Sequence, residues 1–354
     1  MRAAYLITPY QFELRDIPIP KPGKGEVLVR VTAAGVCGSD LHFYSAGRIG
    51  EVVLDQPFVM GHEFSGVVED AGEFSAEFPK GARVAAEPSI PCGTCFYCRE
   101  NRPNLCLNLT FVGFPPKGGG YAEYIALPKE NLHRLPDCIP DSQGPLVETL
   151  AVAIHTAELM GDTRGKSVAI LGAGPVGLLT FLHLRHCGAS VVYMTEPVES
   201  RREFARSLGV PMVLQPDDLQ AIAEQERFLD GVGPEYVVEA AGEPASYAQA
   251  MQIVRRGGTV VYCGIYPHGA MSIDFTPARR KELRMIFVRR SLPRNYSEAI
   301  CLAASGEVNL APFCRTIYPL DQIANAFQDA CERVSGLVKA ILHPVGPEQD
   351  TRNR

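Results

Sequence analysis

The chain has 354 residues and a formal charge of −6, with eleven cysteines and no tryptophan. That length predicts two domains with room for large cores, and the acidic balance leaves no footprint for nucleic acid or an anionic membrane. No apolar run reaches membrane-spanning length, and the start MRAAYLITPY lacks the apolar core and cleavage site of a secretory leader, so the cytoplasm is the expected compartment.

From residue 1 to about 150 the sequence shows short β-rich runs at 26–34, 63–69, 82–86, 121–127 and 131–135. Proline and glycine are dense between them, which predicts an antiparallel, barrel-like domain. Within it, Cys92, Cys95, Cys98 and Cys106 place four thiols in 15 residues, with Pro91, Gly93, Pro103 and Asn104 supplying bends. Without a secretory leader, such cysteines read as metal ligands rather than disulfides. Four thiolates at that spacing can close a tetrahedral shell around one Zn²⁺ and so support structure rather than chemistry. A dispersed set also lies here: Cys37-Gly38-Ser39-Asp40-Leu41-His42, then Gly61-His62-Glu63, and later Glu148. By spacing alone these are a weak signal, since a lone Cys or His is usually a packed core residue. The helical period of 144–160 leads into the next domain.

The stretch 167–196 reads as strand, glycine turn, helix and second strand. Gly172 permits the tight turn, Gly174 lets backbone approach a pyrophosphate, and Gly177 lets helix and strand pack closely. Pro175 and Val176 open the helix, whose free N–H groups form an anion site. Glu196 ends the second strand, where a carboxylate accepts hydrogen bonds from an adenosine ribose and repels a 2′-phosphate, so NAD is expected over NADP. Arg201 and Arg202 can in principle serve a phosphate, and Arg201 is kept as a candidate cofactor contact. Solvated positions in the next helix are the expectation for both. A helix at 199–208, strands at 211–214, 235–240, 259–264 and 283–288, and a helix at 245–255 complete a two-half, doubly wound parallel sheet. Beyond 291, helices are expected at 297–304 and 320–330, a strand at 337–342, and disorder at 346–354.

In this order and spacing, the Cys37-Gly38-Ser39-Asp40 and Gly61-His62-Glu63 motifs, the four-cysteine loop and the Gly172 turn resemble the zinc-dependent medium-chain alcohol dehydrogenase family over nearly the whole chain. Gly47-Arg48-Ile49-Gly50 is similar to its sorbitol (polyol) dehydrogenase branch. The resemblance implies an α/β protein. A GroES-like β-barrel catalytic domain would span 1–152 and 291–354, with a Rossmann NAD-binding domain at 153–290. It implies a catalytic zinc on Cys37, His62 and Glu148, with Glu63 as the alternate ligand, and a structural zinc on the four cysteines. Asp40 would orient His62, Ser39 would take the alcohol's hydrogen bond, and His42 would relay the proton outward.

The implied reaction oxidises a secondary alcohol of a polyol, sugar acid or cyclitol to a ketone with NAD. L-threonine 3-dehydrogenase is the alternative, and an NAD-binding sensor without catalysis is the reading from a different class. Family members are homo-oligomers, with the tetramer expected over the dimer. One departure stands out: the branch carries Tyr after the relay histidine, where this chain has Phe43 followed by Tyr44. Phe43, Phe111 and Phe114 are candidate pocket residues, and Arg289 a candidate cofactor or substrate contact.

Overall fold

The computed structural model describes residues 1–50, 52–218, 221, 231–266, 268–334 and 336–345. The disorder expected for 346–354 lies outside the described residues. Within them the chain forms two compact units, one of Met1–Arg48, Val52–Ala151 and the segment from Ser291 onward, the other built on Val152–Arg290 with Ile49 and Gly50.

The first unit begins with an antiparallel hairpin, β1 (Arg2–Thr8) and β2 (Gln11–Asp16), which the sequence reading missed. Then come β3 (Glu26–Gly35), the helix α1 (Gly38–Ala46), β4 (Glu63–Asp70), β5 (Arg83–Ala86), β6 (Tyr124–Pro128), β7 (Leu132–Arg134) and α2 (Leu146–Met160), whose residues from Val152 belong to the second unit. Strand β3 is the hub. It is rich in β-branched residues and buried over most of its length, as a strand covered on both faces must be. One of its edges pairs antiparallel with β4, and its first half pairs with β6 on the other edge.

The second unit starts with β8 (Ser167–Leu171), α3 (Pro175–His186), β9 (Ser190–Thr195), α4 (Glu199–Ser207) and β10 (Val213–Leu214). It continues through β11 (Tyr236–Glu239), α5 (Pro244–Ile253), β12 (Thr259–Tyr262) and β13 (Arg284–Phe287). All six strands are parallel, in the order β10-β9-β8-β11-β12-β13. This is the doubly wound sheet expected from sequence, with its switch point between β8 and β11, where such sheets take their ligand at the strand C-termini.

The chain then adds α6 (Pro293–Ser305), β14 (Thr316–Pro319), α7 (Ile323–Cys331) and β15 (Ala340–His343) to the first unit. β15 lies antiparallel beside the last residues of β3, with β14 beyond it. Register then decides which side chains meet. Gly35, the last residue of β3, is opposite Glu63 on one side and Ile341 on the other. Cys37 lies two residues past that point and Lys339 two before Ile341, so strand pairing alone converges Cys37, Glu63 and Lys339. Gly35 leaves room for these side chains: an added Cβ would lie 2.6 Å from Glu63 Oε2 and 2.9 Å from Lys339 Cε, so both would have to shift.

Candidate active site and cofactor cleft

Cys37 caps the N-terminus of α1, and its N–H donates to Asp40 Oδ2 at 3.3 Å. Ligand atoms of Cys37, His62 and Glu63 lie within 4.8 Å of one another, a grouping able to hold a metal ion. The sequence expectation placed Glu148 as the direct carboxylate and Glu63 as the alternate; the side chains gathered with Cys37 and His62 are those of Glu63. Glu148 sits nearby at the start of α2, its pKa pushed up to about 7 by burial and then by the Glu63 charge.

His62 turns Nδ1 toward Asp40 Oδ1 at 3.5 Å and Nε2 toward Ser39 Oγ at 3.4 Å. Burial opposes the imidazolium, but Asp40 and Cys37 outweigh it and raise the His62 pKa. Asp40 is fully buried; burial works to raise its pKa, and His62 and Tyr121 more than cancel this and lower it. Lys339, also buried, forms an ion pair with Glu63. A cage of thiol, imidazole and carboxylate, with a second carboxyl beside it and an acid behind the imidazole, fits a borderline-soft divalent cation such as zinc.

Ser39 and His42 stand three residues apart on α1 and share a face. Ser39 is buried and His42 half-buried. Phe111 lies with its ring 5.3 Å from that of His62, next to Phe114 at 5.5 Å. Phe43, a pocket candidate from sequence, is fully buried and packs its ring against Phe58 and Phe114, and the ring of Tyr44 packs against those of Phe12, Phe327 and the exposed Tyr10.

The four-cysteine loop brings Cys92, Cys95, Cys98 and Cys106 within 4.8 Å as free thiols. Cys95 Sγ is 3.5 Å from Cys98 Sγ and 3.8 Å from Cys106 Sγ, and the N–H of Cys95 donates to Cys92 Sγ at 3.4 Å. Backbone N–H groups of Thr94 and Cys95 draw the Cys92 pKa down to about 5. Burial and the neighbouring thiols push that of Cys98 up to about 12. Four thiols this close cannot all ionise unless a cation joins them, which again fits zinc.

In the second unit the three glycines of the turn differ in their surroundings. Gly172 has φ +105°, and an added Cβ would crowd the backbone of Ala240 and Ala241 at 3.0–3.1 Å. A Cβ on Gly177 would meet the Gly172 carbonyl at 2.1 Å, whereas one on Gly174 meets nothing within 4 Å. Gly174 caps α3, Pro175 occupies its first turn and Val176 follows. Glu196, buried at the end of β9, accepts from Ala173 N–H through Oε2 (3.0 Å) and Val198 N–H through Oε1 (3.1 Å). A dinucleotide's pyrophosphate and ribose fit this cradle.

Arg201 is half-buried on α4. The expectation that Arg202 is solvated is wrong: it is buried, and its guanidinium donates to the carbonyls of Glu196 and Pro197, each at 2.7 Å, and to Glu199. The long side chain satisfies the strand-to-helix turn instead of water. Arg289 is exposed.

Three partners escaped the sequence reading: Lys339, Tyr121 and Glu239. The last accepts from Ala241 N–H, Gly242 N–H and Ser246 Oγ at 2.7–2.8 Å and so fixes the loop after β11. A lysine inside the apolar run Leu337–Leu342 was the available signal for Lys339. The other two had none.

Comparison with known proteins agrees with this geometry. Residues 23–137 match the alcohol dehydrogenase GroES-like domain and residues 175–305 the zinc-binding dehydrogenase family. Sorbitol dehydrogenase of Bacillus subtilis (strain 168) is 31% identical over 344 residues, 97% of each chain. Probable D-xylulose reductase A of Aspergillus terreus is 35% identical, covering 90% of this chain and 91% of the relative. The crystal structure of a zinc-binding dehydrogenase from Sinorhizobium meliloti, bound to NADP, superposes with a TM-score of 0.86 at 30% identity over 97% of this chain and 99% of that one. The chain belongs to the zinc-dependent medium-chain alcohol dehydrogenase family. Within it the protein is a dehydrogenase of the sorbitol dehydrogenase-like branch. No helix among the described residues is long and apolar enough to cross a membrane.

Proposed function

We propose that this protein oxidises a secondary alcohol of a polyol, sugar acid or cyclitol to the ketone, passing hydride to NAD. The observation that carries this reading is the convergence of Cys37, His62 and Glu63 in one cage with Asp40 behind the imidazole. Cys37 and His62 would hold a catalytic zinc together with a carboxylate from Glu63 or Glu148, and the four cysteines would hold a structural one. Bound there, the metal supplies the Lewis acidity that makes an alcohol proton acidic near neutral pH.

The chain's own residues do the rest. Asp40 holds the His62 ring, and Ser39 accepts the hydrogen bond of the substrate hydroxyl. From Ser39 the proton passes along one face of α1 to half-buried His42 and out to solvent. In the cofactor cleft the N-terminus of α3 receives the pyrophosphate, Glu196 the ribose hydroxyls, and Arg201 flanks the adenosine end. Glu196 opposes a 2′-phosphate, which supports NAD over NADP.

Two measurements test the reading. Purified protein should carry two zinc ions per chain, and Cys37→Ala should retain one, bind NADH and lose turnover. A screen for NADH production over polyols, sugar acids, cyclitols and L-threonine should find a polyol-type substrate. One zinc per chain with no turnover on any of them would overturn it, and turnover on L-threonine alone would replace the substrate class.

A further inference from the structure

The side chain of Tyr121 is fully buried against the same cage, although it carries no assigned role. Its ring occupies the space beside Gly61, the residue before His62, where an added Cβ would lie 2.7 Å from Tyr121 Cδ1. Its hydroxyl donates to Asp40 Oδ2 at 2.6 Å, with the Gly35 carbonyl 3.1 Å away. The only other donor to Oδ2 among the described hydrogen bonds is the longer one from Cys37 N–H. Oδ1 is left facing His62 Nδ1.

A carboxylate can turn about its bond to Cβ. Whichever group holds one oxygen therefore decides where the other points. We propose that Tyr121 is a positioning residue for the catalytic zinc: by holding Oδ2 it aims Oδ1 at His62, fixes the ring, and slows escape of the metal. The proposal rests on the reading that Cys37 and His62 hold zinc. Phenylalanine would keep the ring beside Gly61 and leave Oδ2 with only the long backbone contact. Losing a partner of a ligating histidine typically weakens metal affinity about 10–100-fold, and Tyr121 stands one bond further out, so the lower end is expected.

The structural zinc provides an internal control. Zinc-loaded full-length protein is mixed with excess chelator and a zinc-reporting dye, and the two release phases are assigned with Cys37→Ser, which lacks one of them. Tyr121→Phe should speed the catalytic phase about tenfold and leave the cysteine-loop phase unchanged. In an Asp40→Asn background the same substitution should add less than about twofold, because the route through Asp40 is already cut. An unchanged catalytic phase, equal acceleration of both phases, or full additivity with Asp40→Asn would overturn the proposal. A wild-type chain with a single zinc would instead overturn the cage reading on which it stands.

Discussion

Lys339 and Glu63 are 276 positions apart and form a buried ion pair, each no more than 3% exposed. Burial disfavours the Lys339 ammonium, but Glu63, Cys37 and Glu148 around it hold its pKa above the ordinary lysine value. An ammonium in this position balances a cage that concentrates negative charge. Removing one member of a buried pair strands the other and costs about 3–5 kcal/mol. Lys339→Met should therefore lower the melting temperature of the chelator-treated protein by several degrees, and adding Glu63→Gln should recover most of the loss. Absence of recovery in the double variant would show that Lys339 acts by packing, not by charge.

The glycines of the cofactor turn should separate folding from binding. Gly177→Ala drives a methyl into the Gly172 carbonyl, so its melting temperature should fall markedly. Gly174→Ala meets no protein atom and should melt like wild type. Its methyl would stand where a pyrophosphate approaches, so NADH affinity, read by fluorescence titration, should fall at least tenfold. Equal melting of the two variants would contradict this division.

Glu196 should set the choice of dinucleotide. Hydrogen bonds to a charged group are worth about 1.5–3 kcal/mol, so Glu196→Ala should weaken NADH binding roughly 10–100-fold. NADPH should lose far less, since repulsion of its phosphate is relieved at the same time. The ratio of the two dissociation constants is the measurement; an unchanged ratio would remove Glu196 from cofactor selection.

His183, buried on α3, has its pKa pulled down to about 4, by burial first and then by neighbouring His186. The ordinary value is 6.5. Between these values the unfolded chain binds a proton that the native chain refuses, so stability is full above pH ~6.5 and falls as pH drops toward ~4. The contribution is on the order of 3 kcal/mol. His183→Leu should flatten that acid limb in melts taken from pH 7 to 4, with little change at pH 7 and above. An unaltered limb would mean that other groups govern acid unfolding.

What could be read in the sequence was what lies close together along it. The glycine turn, its flanking strands and Glu196 fall within 30 residues, and the four cysteines within 15. Both carry spacing that only a few folds use. The cage became legible through resemblance, because Cys37 stands 25 residues before the adjacent His62 and Glu63 and each is an ordinary core residue by itself. Lys339 and Tyr121 stayed hidden because long-range register decides their positions: the pairing of β3 with β15, and the closure of the loop before β6 onto Gly61. Arg202 was misread for a related reason. Helix position alone put it in water, while the carbonyls left open by the turn after β9 drew it inward.

The interruption of the first unit between Ala151 and Ser291 has a consequence for biosynthesis. At about 5–20 residues per second, a ribosome needs roughly 15 to 55 s between delivering Glu63 and delivering Lys339. Throughout that interval the nascent barrel keeps the edge of β3 open where β15 will dock, and an unpaired edge invites foreign strands. Over the same interval Glu63 is without the lysine that balances it in the finished fold.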